Sequence, residues 1–349
     1  MLFEVTPSFT KWFEGVNKEL ADVQQQIESL SGEKAQLLRR VQTETLTIAI
    51  DSGQQRSFWR PVHRALREES AAANVAADFD KFLSHVRVDY IPHTVIIDCS
   101  ASEAVAARYR DWLAAGIHVV TPNKKANSGP LDYYRSLQAA RRGSGAHYLY
   151  EATVGAGLPV IKTLADLRET GDEIASIEGI FSGTLAYLFN VYDGSTPFSA
   201  IVRDAKQRGY TEPDPRDDLS GTDVARKLII LGREMGLKLE LKDVQVESLV
   251  PGELAGGSID DFLAQLPRFD ADMQKRYAEA QARGHVLRYV GRVGKDGKAT
   301  VGLVELERRH AFANIALTDN VVRFATSRYN NNPLIVQGPG AGPEVTAGG

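Results

Sequence analysis

The 349-residue sequence contains one cysteine, Cys99. A single thiol can neither close an internal disulfide nor build a Cys-rich zinc site, so neither a disulfide scaffold nor a zinc module is expected. No run approaches the ~18 apolar residues that a bilayer-spanning helix needs. Neither sign of charge dominates: 41 Lys and Arg stand against 45 Asp and Glu, a net of −4 with His neutral. Binding to nucleic acid through phosphates needs a cationic surplus, so that class is set aside. Glu4 stands where a secretory leader would carry cations ahead of an apolar run. The seven histidines, at 63, 85, 93, 118, 147, 285 and 310, lack metal-ligand spacing and are read as structural. No internal repeat is evident. These absences leave a soluble, cytoplasmic, globular protein as the expectation.

The hydrophobic share of 43% is enough for sizeable cores, and at about 150 residues per domain the length suggests two domains. Leu2 to Val5 is a short candidate strand. Val16, Leu20, Val23, Ile27 and Leu30 then recur at helical spacing, as a packed surface helix or a short coiled-coil seam broken at Ser31-Gly32. Leu46 to Ile50 is a candidate strand that ends at Asp51-Ser52-Gly53. Asp51 suits either a ribose-binding acid after a second strand or a plain turn aspartate.

The next unit is clearer. Thr94 to Asp98 forms an apolar strand closed by an acid, and Ser102-Glu103 opens a helix with the stripe Val105, Tyr109 and Leu113. Gly116 stands where a helix-terminating glycine belongs, and Ile117 to Val120 is the following strand. Strand, helix and strand at this spacing predict a parallel βαβ unit, whose ligands bind beyond the carboxyl ends of the strands. Cys99-Ser100-Ala101-Ser102 and Thr121-Pro122-Asn123-Lys124-Lys125 occupy those ends. After about residue 150 the pattern predicts a Gly-rich turn (151–159) leading into a helix, then a strand over 174–181. Helices follow near 184–192, 198–208 and 221–235, then a hairpin of 286–293 with 299–306 around Gly294-Lys-Asp-Gly297. A glycine-dense loop, 337–342, closes the sequence.

Four acids and two prolines crowd Glu212 to Asp218, just before a helix that carries Asp223 and Lys227. Four residues apart, these two share a helix face, either as an exposed ion pair or as an acid and an amine directed into a cleft. Lys124 is a surface lysine or a ligand-edge lysine; a desolvated amine can carry protons near neutrality. Glu151-Ala-Thr-Val-Gly-Ala-Gly is a tight turn or a ligand loop.

Four ordered segments, TPNKKANS (121–128), EATVGAGLPV (151–160), GIFSGTLAYLFN (179–190) and GYTEPDPRDDLSGTDVARKLIIL (209–231), together resemble homoserine dehydrogenases. The resemblance spans about residues 94–346 and is nearest to the dehydrogenase half of bifunctional aspartokinase–homoserine dehydrogenases. It implies an α/β protein with a Rossmann-like NAD(P)-binding domain (1–150), an α/β catalytic and dimerisation domain (151–319), and a segment (320–349) that returns to the nucleotide domain and looks truncated. The implied reaction interconverts L-homoserine and L-aspartate 4-semialdehyde, towards threonine and methionine, in a homodimer or higher homo-oligomer. Lys227 is implied as the proton carrier, assisted by Lys124. Glu212, Asp218, Asp223, Gly183 and Thr184 are implied at the substrate. Ser100, Lys124, Gly340 and Gly342 are implied at the cofactor. Glu151, with the carbonyls of Val154, Ala156 and Leu158, is implied to hold a monovalent cation, usually sodium.

The sequence departs from this family at the expected first βα turn, which has no G-x-G-x-x-G motif. Thr6-Pro-Ser-Phe-Thr-Lys-Trp12 follows the first candidate strand, and Pro7, Phe9 and Trp12 offer a phosphate no glycine-lined approach. The alternative reading is therefore a catalytically impaired homologue that serves as a dimerising or regulatory partner.

Overall fold

A computed structural model describes residues 93–349, Ala316 excepted, together with Leu83. The expectations for Leu2–Val5, the 16–30 stripe, the 46–50 strand, Asp51 and the first βα turn lie outside the described residues. Val95–Gly349 forms one compact unit.

That unit opens with the parallel layer. Strand β1 (Val95–Ile97) leads to Ser102, whose hydroxyl accepts the Val105 amide at 3.3 Å and caps α1 (Glu103–Ala106). The single helix expected here is two, since α2 (Tyr109–Ala114) starts afresh. The break between them carries Tyr109 inward, where its hydroxyl donates to the buried carboxylate of Asp98. Gly116 turns the chain with φ +81°, a conformation open to glycine at little cost. Strand β2 (His118–Val120), helices α3 (Lys125–Ser128) and α4 (Leu131–Ser144), and strand β3 (Tyr148–Leu149) complete a three-stranded parallel sheet in the order β1–β2–β3.

Helix α5 (Val160–Glu169) follows the Gly-rich turn and leads to β4 (Ile174–Ile180), α6 (Gly183–Val191) and α7 (Phe198–Gln207). The acidic loop ends in α8 (Pro215–Leu219), and Gly221 caps α9 (Thr222–Glu234). Next come β5 (Val244–Val246), α10 (Ile259–Gln265) and α11 (Asp270–Ala282). The expected hairpin is present as β6 (His285–Gly294) and β7 (Ala299–Glu307), antiparallel through nine register pairs. Strands β8 (Asp319–Thr326) and β9 (Leu334–Pro339) precede α12 (Pro343–Gly348).

These strands form one mixed sheet, β5–β7–β6–β4–β8–β9. Helices α6 and α9 lie against it, and Ile177, Phe181, Leu228, Ile229 and Val293 are among the buried residues. Two expectations change here. The loop expected over 337–342 is strand as far as Pro339, because β8 offers it a hydrogen-bonding partner that its glycines could not reveal. The strands within 320–349 pair with β4 and each other, so this part of the segment completes the central sheet.

Gly221 holds φ +72°, and a Cβ there would lie 2.0 Å from the Tyr289 hydroxyl. Gly221→Ala combines a left-handed strain with an overpacked contact, so a loss of about 2–4 kcal/mol is expected, read by urea unfolding.

Candidate active site

The carboxyl ends of β1 and β2 are joined by a buried polar network. The Asp98 carboxylate accepts from the Ser100 amide (2.8 Å), the Asn123 side chain (3.1 Å) and Tyr109. Thr121 donates to the Asp98 carbonyl at 2.9 Å, and its hydroxyl accepts from the Asn123 amide at 2.9 Å. A buried carboxylate persists only when donors replace its water, and here they also fix Ser100 and the residue before Lys124 as one rigid edge.

Helix α9 brings the second lysine to that edge. Asp223 and Lys227 sit one turn apart, with their side chains 2.9 Å apart, and the other Asp223 oxygen lies 3.2 Å from the Lys124 ammonium. The pair is not the exposed ion pair of a solvated helix face: Lys227 is 9% exposed, and its amine also donates to the Phe181 carbonyl at 2.6 Å. Burial lowers the Lys227 pKa and Lys124 lowers it further, against the opposing pull of Asp223 and Asp218. Burial pushes Asp223 up, but the charges of Lys227 and Lys124 outweigh it and hold the carboxyl well below the usual range. The Asp223 side chain is 42% exposed, so dehydration opposes the two ammonium groups only in part.

Beside this array, Asp218 accepts the Glu212 amide at 2.8 Å, and Thr184 donates to the Tyr210 carbonyl at 2.6 Å. Burial, with Glu212 and Asp223 nearby, pushes Asp218 up to about 6 despite its hydrogen bond from the Glu212 amide. Gly183 approaches Thr318 and Ala341, so the 340–342 loop meets the start of α6. Gly340 has no room for a side chain, because its Cβ would stand 2.0 Å from Asn320 Cγ. Gly342 follows at the exposed end of the loop.

Glu151 serves another element. Its two carboxylate oxygens accept the amides of Ile161 (2.7 Å) and Lys162 (2.8 Å), capping the positive end of α5. Gly155 (φ +79°) and Ala156 (φ +53°) are both left-handed, and the Leu158 carbonyl accepts the Val160 amide at 2.8 Å.

The residues that sequence reasoning missed are those whose signal is purely spatial: Phe181 through its carbonyl, Tyr109, and Arg233 and Glu234 at the far end of α9. Asn123 lay within a recognised motif, though only its distance to Asp98 shows its use. A cavity of about 1100 Å³ is lined by Arg135, Arg141, Lys162, Arg168 and Gly349 among others, and contains neither lysine of the array. The site is therefore assigned from its side chains and not from volume.

The constellation provides a buried amine of lowered basicity, a second cation, a carboxylate between them and two further acids. It can move a proton to or from an alcohol oxygen while holding a cationic substrate group.

A family profile described as Homoserine dehydrogenase matches residues 159–349, and one described as Homoserine dehydrogenase, NAD binding domain, matches residues 30–151. The chloroplastic bifunctional aspartokinase/homoserine dehydrogenase of Daucus carota is 56% identical over 304 residues, which cover 86% of this chain and 32% of that protein. The chain thus spans about a third of the length of such bifunctional relatives. The homoserine dehydrogenase of Schizosaccharomyces pombe is 48% identical over 265 residues, 73% of this chain and 70% of that protein. A crystal structure of a Candida auris protein of unknown function superposes with a TM-score of 0.76 at 42% identity, covering 80% of each chain. The homoserine dehydrogenase of Thiobacillus denitrificans gives a TM-score of 0.62 at 25% identity over 83% of this chain and 61% of that one. With the catalytic-domain profile covering more than half of its length and the fission-yeast enzyme matched over most of its own, the chain belongs to the homoserine dehydrogenase family.

Proposed function

We propose that this chain interconverts L-homoserine and L-aspartate 4-semialdehyde with a nicotinamide cofactor, in threonine and methionine formation. The observation that carries the reading is the Lys124–Asp223–Lys227 array at the carboxyl edge of the parallel sheet. Lys227 exchanges the proton of the alcohol or aldehyde oxygen, and its lowered basicity suits it to accept one near neutrality. Lys124 adds positive charge beside the same oxygen. Glu212, Asp218 and Asp223 hold the substrate ammonium, with Gly183 and Thr184 bringing backbone close. A nicotinamide bound there would supply the hydride acceptor or donor for the substrate's terminal carbon. Ser100, Lys124, Gly340 and Gly342 are assigned to hold the cofactor: Ser100 and Lys124 stand at the carboxyl edge of the parallel sheet, and Gly340 packs its backbone directly against the buried Asn320 side chain. Purified protein is tested with NAD and NADP for oxidation of L-homoserine; a folded protein that binds neither dinucleotide and turns over nothing would defeat the reading. The impaired-partner alternative has no observation in its favour among the described residues.

Asp218 gives the reading a pH signature. Its raised value means that the carboxyl gains its proton as pH falls through about 6 and loses its grip on an ammonium. Below that point kcat/KM for L-homoserine is expected to fall about tenfold per pH unit beyond the fall that protonation of Lys227 sets, and Asp218→Asn is expected to remove the Asp218 contribution and leave that of Lys227. An unchanged limb in the variant places the titration elsewhere.

Sodium is assigned to Glu151 and the carbonyls of Val154, Ala156 and Leu158. An all-oxygen set suits a hard cation, and each Glu151 oxygen keeps a lone pair beyond its capping bond. Sodium is expected to raise Tm relative to choline at equal ionic strength, by mass action on the folded form; equal Tm values leave Glu151 as a helix cap alone.

For the homodimer, the support is a sheet face with Val304 and Ile335 exposed on the same side as Glu178, which bridges Arg292 (3.0 Å) and Arg323 (3.2 Å). Sedimentation of wild type and Val304→Arg tests it: a dimer becoming a monomer supports this face. No helix among the described residues is long and apolar enough to cross a membrane; the cytoplasmic location is part of the proposal and is tested by fractionation.

A further inference from the structure

The distance between the two lysines is a distance between two segments, since Lys124 precedes α3 in the nucleotide-binding part and Lys227 lies on α9 in the catalytic part. Asp223 ties them at one end. At the other end of α9, Arg233 is a fully buried guanidinium whose side chain is 0% exposed. It donates to the Asn127 carbonyl in α3 at 2.7 Å and twice to the Leu239 carbonyl, at 3.0 and 2.8 Å. Its remaining partner is Glu240 at 3.3 Å, whose other oxygen accepts the Leu131 amide at the start of α4, at 2.8 Å. The guanidinium also lies over the Tyr134 ring of α4, 5.3 Å from its centroid. The next residue, Glu234, accepts from the Tyr134 hydroxyl at 3.1 Å and the Tyr150 hydroxyl at 2.5 Å.

Every one of these partners except Leu239 and Glu240 belongs to the segment matched by the NAD-binding profile, whereas Arg233 belongs to the catalytic one. Helix α3 is four residues long, too short to hold its own direction. Its start carries Lys124 and its third residue is gripped by Arg233. We propose that Arg233, held by Glu240, is a positioning residue that sets the register of α3 against α9 and thereby the approach of Lys124 to the Asp223–Lys227 pair. This rests on the reading of the two lysines given above. A guanidinium does this where an ammonium cannot, because its planar fork reaches two carbonyls on different segments at once.

Arg233→Lys keeps the charge and loses the fork, and Glu240→Gln keeps an acceptor for Leu131 while removing the charge that orients Arg233. Slippage of α3 draws Lys124 away and lets water reach Lys227. The groups facing Lys227 are Asp223 on its own helix, Lys124 at α3, Asp218 at α8 and the Phe181 carbonyl before α6. Loss of dehydration and of Lys124 both raise the Lys227 pKa, so the rising limb of L-homoserine oxidation moves to higher pH. Arg233→Lys is expected to lower kcat about 10- to 100-fold, the scale of a roughly 1 Å misplacement. Cofactor Kd, measured by NADPH fluorescence, is expected to rise by a smaller factor than kcat falls, because of the residues assigned to the cofactor only Lys124 moves. Glu240→Gln shifts the limb in the same direction by less. A fall in Tm with the limb in place in Glu240→Gln, or in a folded Arg233→Lys, overturns the proposal and leaves a structural brace. Lys227→Met in the intact protein separates the two readings: if it remains active, the lysine assignment fails first.

Discussion

Lys227→Ala is expected to lower turnover of L-homoserine by about 10²- to 10⁴-fold, the usual worth of a positioned proton carrier. The fold should survive. The removed ammonium is buried and expensive to dehydrate, and Asp223 keeps Lys124 as a partner at 3.2 Å. Removing one partner of a buried pair is costly when the other is left bare, but Asp223 keeps Lys124 and a 42% exposed side chain, so Lys227→Met serves as the volume-matched control, with Tm close to that of the parent. NADPH binding should persist in both variants, because Lys227 faces Asp223 and the Phe181 carbonyl. The discriminating measurement is kcat with cofactor affinity and Tm on the same preparations. Near-normal turnover in a folded Lys227→Met removes the assignment.

Asp223→Asn is expected to cost about 10²-fold or more in turnover, through charge and position together. Among the described residues, the aspartate is the one anion in contact with both lysines, at 2.9 and 3.2 Å. Its neutral isostere leaves two ammonium groups facing each other. Among the forces on Lys227, Asp223 is the largest that favours the protonated form. Without it the Lys227 pKa falls further, and the rising limb of the oxidation profile moves to lower pH. That is the reverse of the shift expected for Arg233→Lys. The reverse reaction, which needs a protonated Lys227, should suffer more than oxidation at neutral pH. A profile coincident with wild type in both directions would show that the carboxylate does not govern the lysine.

Much of the architecture was legible because it is local. The β1–α–β2 unit follows from an apolar run, a capping serine and a terminal glycine. The β6–β7 hairpin follows from two strand patterns around a Gly-bounded turn. The split of the first helix was not legible, since Val105, Tyr109 and Leu113 keep a helical stripe whether or not the chain breaks between them. What turns Tyr109 inward is Asp98, eleven residues away. Strand β9 was hidden for a similar reason: its end, Gly338-Pro339, resembles a loop until β8 supplies the ladder.

At the site, the sequence by itself determined the family, the acidic loop, and the placement of Asp223 and Lys227 on one helix face. Helical periodicity makes residues four apart neighbours wherever the helix lies. Only the tertiary structure decided that this face is interior, that Lys124 comes to the same carboxylate from another strand, and that Arg233 fastens the far end. Those contacts join residues about a hundred positions apart, between Lys124 and Asp223 and between Asn127 and Arg233. Burial and Coulomb forces act through space, and sequence spacing carries no record of them until the chain has folded.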